Sequence, residues 1–283
     1  PAGAGGRGLA CIMGMGSVWP APANQYTQDQ LAQALAARLP AHRELVEACY
    51  GESRVQQRGI NTSLDTLRTG VADGSASDEL KAELHTALQD MLCAAAAEAL
   101  REWGGDAACL THVIFGSSFG GCFAPSHEVA VIERLELPIT VQRVSFDHLE
   151  SLGGLRVVAL ASELACASSA HRVLVLFGDV GSARSCFLPE SPAREDILRA
   201  SVYADGAVAA VVGADPRGAE RPVYEIATCA SRIARSARGV GPHGDDAELR
   251  AANWMKKHLK LAVDDALGGS ELRLEECAVL CEP

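Results

Sequence analysis

The chain has 283 residues, a hydrophobic fraction of 48% and a formal net charge of −11. Its length suits one large domain or two small ones, and its apolar content suits a well-buried globular protein. The acidic balance argues against a nucleic-acid or anionic-membrane surface, and no apolar run is long enough to span a bilayer or to read as a signal peptide.

Leu9–Gly16 reads as a short apolar strand, followed by a loop over Ser17–Asn24. Thr27 is placed to cap a helix over Gln28–Leu39, with Leu31, Ala34, Leu35 and Leu39 on one face. Pro40 stops it, and Ala41–Tyr50 forms a second helix. Gly51–Gly70 is polar and irregular. Ser77 is expected to cap a long helix through Trp103, with Leu80, Leu84, Leu88 and Leu92 inward, ended by Gly104-Gly105. Leu110–Gly116 is a strand, Ser117–Ser126 a glycine-rich loop and Glu128–Leu135 a helix.

The next unit organises the chain. Ile139–Phe146 and Arg172–Phe177 are short apolar runs that read as buried strands. Between them, Leu152–Ala165 is apolar on nearly every side, as a buried helix is. The turn Asp147-His148-Leu149-Glu150-Ser151 is rich in groups that can do chemistry, and it opens into unpaired N–H groups that favour negative charge. Asp179–Arg199 is a long excursion, Val202–Val212 a strand broken at Asp205-Gly206, and Pro216–Pro222 a linker. Val223–Ile233 opens a second half with a helix across Ala247–Leu267 and a strand at Cys277–Cys281. Strands alternating with helices define an α/β protein with parallel or mixed sheets covered by helices.

Ten cysteines show neither C-x-x-C pairs nor metal-ligand spacing. Cys11, Cys93, Cys109, Cys166, Cys277 and Cys281 lie in apolar surroundings and read as small buried hydrophobes, which gives a cytoplasmic expectation. The start at Pro1 and the stop at Glu282-Pro283, just after an apolar strand, give the expectation that residues are missing from both ends.

Several stretches resemble the type III polyketide synthases, the chalcone synthase family of the thiolase superfamily. Arg143-Val144 and Arg172-Val173-Leu174-Val175 bracket the central unit as in the family's nucleophile segment, whose turn ends in G-C-x-x-G-G. Glu102-Trp103-Gly104 with Leu110–Phe115 resembles E-W-G…I-T-H-L-I-V, and Tyr203–Pro216 resembles F-G-D-G-A-A-A-V-I-V-G-A-D-P. Ala278–Pro283 resembles the strand that ends in H-P-G-G. The resemblance implies a thiolase-like αβαβα layered fold. Residues 1–216 would be the N-terminal half and residues 223–283 the start of a truncated C-terminal half.

The same alignment assigns site residues. The family's nucleophilic cysteine falls on Ser151, and its histidine falls on Glu282. Ser151 also reads simply as an N-cap serine, and a serine hydroxyl stays protonated where a cysteine becomes a thiolate. Glu282 can accept a proton but does not donate an N–H unless its own pKa is raised. The family's asparagine lies beyond Pro283. His148, three residues before Ser151, is a replacement base or else a histidine satisfied in a polar turn. Leu45, Ala48 and Glu52 occupy the three positions where the family holds CoA phosphates with basic side chains, with Arg43 and Arg54 close by. Phe187 resembles the gatekeeper between CoA tunnel and cavity, or is a loop aromatic; Phe123 resembles the residue that reaches across the dimer, or belongs to an ordinary glycine-rich loop.

Two functions compete. One is a type III polyketide synthase-like acyltransferase or decarboxylative condensation protein of low or altered activity, taking acyl-CoA, malonyl-CoA or acyl-carrier substrates without a cofactor or metal. The other is a non-catalytic subunit that binds a partner synthase or an acyl ligand. Either is expected as a homodimer, or as a heterodimer with a related synthase. A third account, that Ser151 replaces an original cysteine by engineering, leaves Glu282 unexplained.

Overall fold

The computed structural model describes residues 8–71, 75–118, 126–147, 153–230, 259–261, 263–265, 267 and 268. The chain divides into two compact units, Pro1–Tyr224 and Glu225–Pro283. In the second unit the described residues 259–261 and 263–265 are helical. The first unit is a mixed sheet with helices packed on it.

Its strands are β1 (Ala10–Val18), the short pair β2 (Gln25–Thr27) and β3 (Gln57–Gly59), then β4 (His112–Ser117), β5 (Gln142–Asp147), β6 (Arg172–Val180) and β7 (Asp205–Ala214). The main sheet runs β5-β4-β6-β7-β1. β4 is parallel to both β5 and β6, while β7 is antiparallel to β6 and to β1. β2 and β3 form a separate antiparallel pair.

The helices are α1 (Gln28–Arg38), α2 (Arg43–Glu52), α3 (Leu64–Thr69), α4 (Ser75–Trp103), α5 (His127–Arg134), α6 (Gly153–Ala167), α7 (Ser182–Cys186) and α8 (Arg194–Val202). Thr27 caps α1 as expected: its hydroxyl accepts from Gln30 N, and the Gln30 side chain accepts from Thr27 N, a reciprocal capping box. α4 buries Leu80, Leu84, Leu88 and Leu92 on one face, each worth about 2 kcal/mol of apolar transfer. Strand alternation sends Val113, Phe115, Leu174, Leu176, Ala207, Ala209 and Val211 into the same core. Gly116 and Phe177, one position out of step, meet α6 instead.

Several expectations are corrected. Gly51–Gly70 is not irregular: it holds β3 and α3, whose start Ser63 caps by accepting from Thr66 N. Ser77 lies inside the first turn of α4 rather than at its cap. The excursion after β6 contains α7 and α8. Asp205 begins β7 instead of breaking it, because Val202, where the strand was expected to begin, ends α8. β5 is an edge strand with alternate residues exposed, not a buried one, and Ile139 just before it is 93% exposed. α6 buries only the stripe Gly153, Val157, Ala161 and Ala165, since one sheet face covers it within the described residues. Cys109 is exposed, while Cys11 is buried. The strand at Cys277–Cys281 and most of the helix across Ala247–Leu267 lie outside the described residues.

Pro216–Pro222 is tied down rather than a free linker. Arg172, at the start of β6, donates to Glu220 through Nε and Nη2, both at 2.6 Å. Trp103 Nε1 donates to Glu220 Oε1 at 2.9 Å, and Arg217 N to Oε2 at 2.6 Å. Both charged side chains are buried. Burial acts to raise the Glu220 pKa, but the bonds from Arg172, Arg217 and Trp103 hold it below the ordinary carboxylate value. Glu220→Ala leaves the Arg172 guanidinium buried without its counter-ion, so a loss of about 3–5 kcal/mol is expected. Urea unfolding checks this, and a loss under about 1 kcal/mol would contradict it.

Candidate active site at the carboxyl ends of the parallel strands

β4, β5 and β6 run in the same direction, so their carboxyl ends share one edge of the first unit. Open α/β sheets bind ligands outside that edge. Residues 148–152 connect the end of β5 to the start of α6 there. Ser151 and His148 lie in that connection, Phe123 in residues 119–125 and Glu282 in residues 269–283, all outside the described residues.

What surrounds the connection is described. A Cβ at Gly116 of β4 would lie 2.8 Å from Val157 Cγ1 and 3.1 Å from Phe177 Cδ2. A Cβ at Gly153 would lie 2.5 Å from Phe177 Cε2. The first turn of α6 therefore sits flush on β4 and β6, with no room for a side chain at either glycine. Phe177 fills the gap between them.

Two carboxylates tie down described residues on either side of positions 119–125. Asp179, near the end of β6, accepts from Ser117 Oγ at 2.8 Å, Ser118 N at 2.7 Å and Ser118 Oγ at 2.8 Å. Glu128, in the first turn of α5, is buried and accepts from Ser126 and from Ser145 Oγ of β5 at 3.0 Å. Arg143 of β5 approaches Glu128 at 3.7 Å. Ser117 and Ser118 are thus bound to β6, and the start of α5 is bound to β5. Sequence reasoning missed both carboxylates. The signal was a serine pair ending one strand and a lone acid near the end of another, which sequence order does not bring together.

Asp205 is a structural group. Its carboxylate accepts from Ser182 N (2.7 Å), Ser182 Oγ (2.8 Å) and Asn61 N (2.6 Å). Burial pushes its pKa up, and those bonds act against the rise.

The α2 face differs from a phosphate site. Leu45 packs against the core, Ala48 is exposed, and Glu52 forms an ion pair with Arg194 of α8 at 2.6 Å. Arg43 turns toward Glu47 at 3.8 Å. Arg54 is exposed, in the left-handed region at φ 56°. Phe187 caps the end of α7, 37% exposed, with Lys81 Nζ 5.8 Å from its ring centroid.

Residues 3–216 match the family model for the N-terminal domain of chalcone and stilbene synthases, and the chain belongs to that family. Curcumin synthase 1 of Curcuma longa is 33% identical over 181 residues, covering 62% of this chain and 45% of the relative. Type III polyketide synthase 10 of Oryza sativa subsp. japonica is 27% identical over 233 residues, covering 80% of this chain and 57% of the relative. The chain thus spans about half the length of these curated relatives. A probable polyketide synthase 1 of Dictyostelium discoideum is 33% identical over 137 residues, 48% of this chain and 4% of that protein. In fold, the chain is similar to the C-terminal type III polyketide synthase domain of Steely1, a type I/III hybrid from Dictyostelium. The TM-score is 0.77 at 20% identity, covering 95% of this chain and 77% of that one. That neighbour carries the thiolase-like fold. No helix among the described residues is long and apolar enough to cross a membrane.

His127, the first residue of α5, gives the first unit a pH dependence. Its ring is fully buried, 4.4 Å from that of His85 and 5.4 Å from that of Phe115. Burial, and then His85, lower its pKa to about 4. The unfolded chain takes up this proton near pH 6.5, well before the folded chain does. The contribution is therefore complete above about pH 6.5 and is lost as pH falls toward 4, by roughly 3 kcal/mol at most. Burial also lowers the His85 pKa, which acts in the same direction. Unfolding free energies measured from pH 7 to pH 4 should fall along this slope, and His127→Gln should flatten it. An unchanged slope in the variant would assign the acid sensitivity elsewhere.

Proposed function

We propose that the chain is an acyl-transfer or decarboxylative condensation protein of the type III polyketide synthase kind, with low or altered activity. The observation that carries the reading is the α6 start at Gly153, seated flush on β4 and β6 two residues after Ser151 in sequence. A group in that position receives the helix N-terminal field, which stabilises an oxyanion or thiolate. Ser151 would be the acyl acceptor, and His148 or Glu282 the base. Phe187 would narrow the entrance to the acyl cavity, and Phe123 would reach a partner's cavity. Acyl-CoA or malonyl-CoA would be held weakly, because α2 presents Leu45, Ala48 and an ion-paired Glu52 where phosphates need cations. That same face favours the second reading, a non-catalytic subunit that binds a related synthase or an acyl ligand.

A neutral serine without an imidazole acylates slowly. Incubation with acyl-CoA and malonyl-CoA is expected to give no appreciable polyketide, and at most a slow acyl mass increase on Ser151. Ser151→Cys should raise thioester formation through the lowered thiol pKa without restoring condensation. Turnover of malonyl-CoA near one per second, abolished by Ser151→Ala, would overturn the low-activity reading.

A dimer is part of the proposal. Among the described residues β5 pairs with β4 alone, and its other edge offers free strand pairing. Antiparallel self-pairing centred on Ser145 would set Arg143 opposite Asp147 of a second copy, an attractive cross-strand pair. Sedimentation at micromolar concentration should show a dimer. Asp147→Arg should weaken it, and adding Arg143→Glu should restore it. A monomer throughout would remove this part.

A further inference from the structure

We propose that Arg38 is a positioning residue for Phe187 and acts, through Phe187, on the acyl-chain length the site admits; this rests on the reading of Phe187 as the residue that narrows the entrance. Arg38 is the last residue of α1. Its Nη1 donates to the carbonyls of Ser185 at 2.9 Å and Cys186 at 3.0 Å, and its Nη2 donates to the carbonyl of Leu188 at 2.5 Å. Those acceptors bracket Phe187 on both sides. The first two belong to the last turn of α7, where carbonyls lack helical partners and a cation is favoured.

The local packing makes the clamp directional. Cys186 and Leu188 are buried, and Phe187 N donates back to Ala183 O at 3.0 Å. With the backbone held at 185, 186 and 188 and both neighbours turned inward, Phe187 is the residue left to project. Three acceptors spread over four residues suit a planar guanidinium fork better than an ammonium. Gly70 leaves the guanidinium its place: it has φ +70°, and a Cβ there would lie 2.7 Å from Arg38 Nε.

Further along, the arm formed by residues 28–58, which includes Arg38, holds the end of α8 and the residue after it by the same means. Arg58 Nη1 donates to the carbonyls of Ala200 (2.7 Å) and Tyr203 (2.6 Å), and Gln28 Nε2 to that of Ser201 (2.7 Å). All these acceptors are main-chain atoms. The arm over residues 28–58 therefore fixes the path of the excursion whatever its side chains are, and Arg38 is the member of the set next to Phe187.

Two readouts test this on the full chain. With 4-fluorophenylalanine at position 187, Arg38→Met should shift and broaden the single ¹⁹F resonance, and Arg38→Lys should recover part of the parent position. A resonance unmoved in Arg38→Met overturns the proposal. Gly70→Ala, which presses on the guanidinium, gives an independent shift should Arg38→Met fold poorly; an unmoved resonance in that variant also overturns the proposal. In a Ser151→Cys background, loading from acetyl-CoA to lauroyl-CoA is followed by intact mass. Arg38→Met and Phe187→Ala should each shift the preference toward longer chains by about tenfold, and together no further than either alone. An equal fall at every chain length marks a merely structural arginine and overturns the proposal. A resonance that moves with Arg38 while Phe187→Ala leaves the chain-length profile unchanged sinks the entrance reading of Phe187 and the chain-length claim with it, and leaves the clamp standing.

Discussion

The approach of one helix to one strand governs the first unit. At Gly14 and Gly16 of β1, a Cβ would collide with the carbonyl oxygens of Ala99 and Ala95 of α4. Backbone therefore meets backbone along this line, closer than ordinary helix–sheet packing permits. The helix answers with its own side chains: Met15 N donates to Glu102 at 2.5 Å and Ser17 N to Glu98 at 3.1 Å. β1 shifts register against β7 between Ile12 and Gly14, where this contact begins. Trp103, at the end of α4, then reaches Glu220 and joins the buried Arg172 pair. One helix thus fixes β1, closes the core over its leucines and secures the segment that leaves β7.

How far these features were legible depends on how local their causes are. The capping of α1 by Thr27 needs four consecutive residues and could be read directly. The buried leucines of α4 repeat along one helix and were equally plain. Gly14 and Gly16 stood in an apolar strand with no sign of what would cross them, because their reason, Ala99 and Ala95 of α4, is remote in sequence. α3, β3, α7 and α8 were hidden because they are short, and α7 and α8 are held by tertiary bonds from Arg38 and from Arg58 of β3. β5 looked buried because its apolar residues were counted without its neighbours. Only the strand order puts it at the edge.

The site end was legible in outline and not in detail. Leu152–Ala165 was legible as a helix, but the contact of its Gly153 with Phe177 was not. The carboxylates of Asp179 and Glu128 were silent, since each meets serines from a different strand. Asp179 holds Ser117 and Ser118 at the end of β4, and Glu128 holds the start of α5 against β5. His127, also at the start of α5, is neutral at ordinary pH because burial penalises its charge.

Steric and electrostatic constraints in this chain differ in how easily a sequence can abandon them. A side chain at Gly116 or Gly153 would strike packed atoms at 2.5–2.8 Å, so the flush start of α6 is a condition of folding. Cavity-free cores tolerate such intrusions at a cost of about 1–3 kcal/mol, a large share of the total stability. A cation on the exposed face of α2 is under no such condition. Exchanging it for an alanine or a glutamate moves stability by only about 0.5 kcal/mol. At position 52 the carboxylate even gains Arg194 as a partner. Strand order and the helix start are therefore constrained by packing, while the charges on the exposed face of α2 can change without disturbing either.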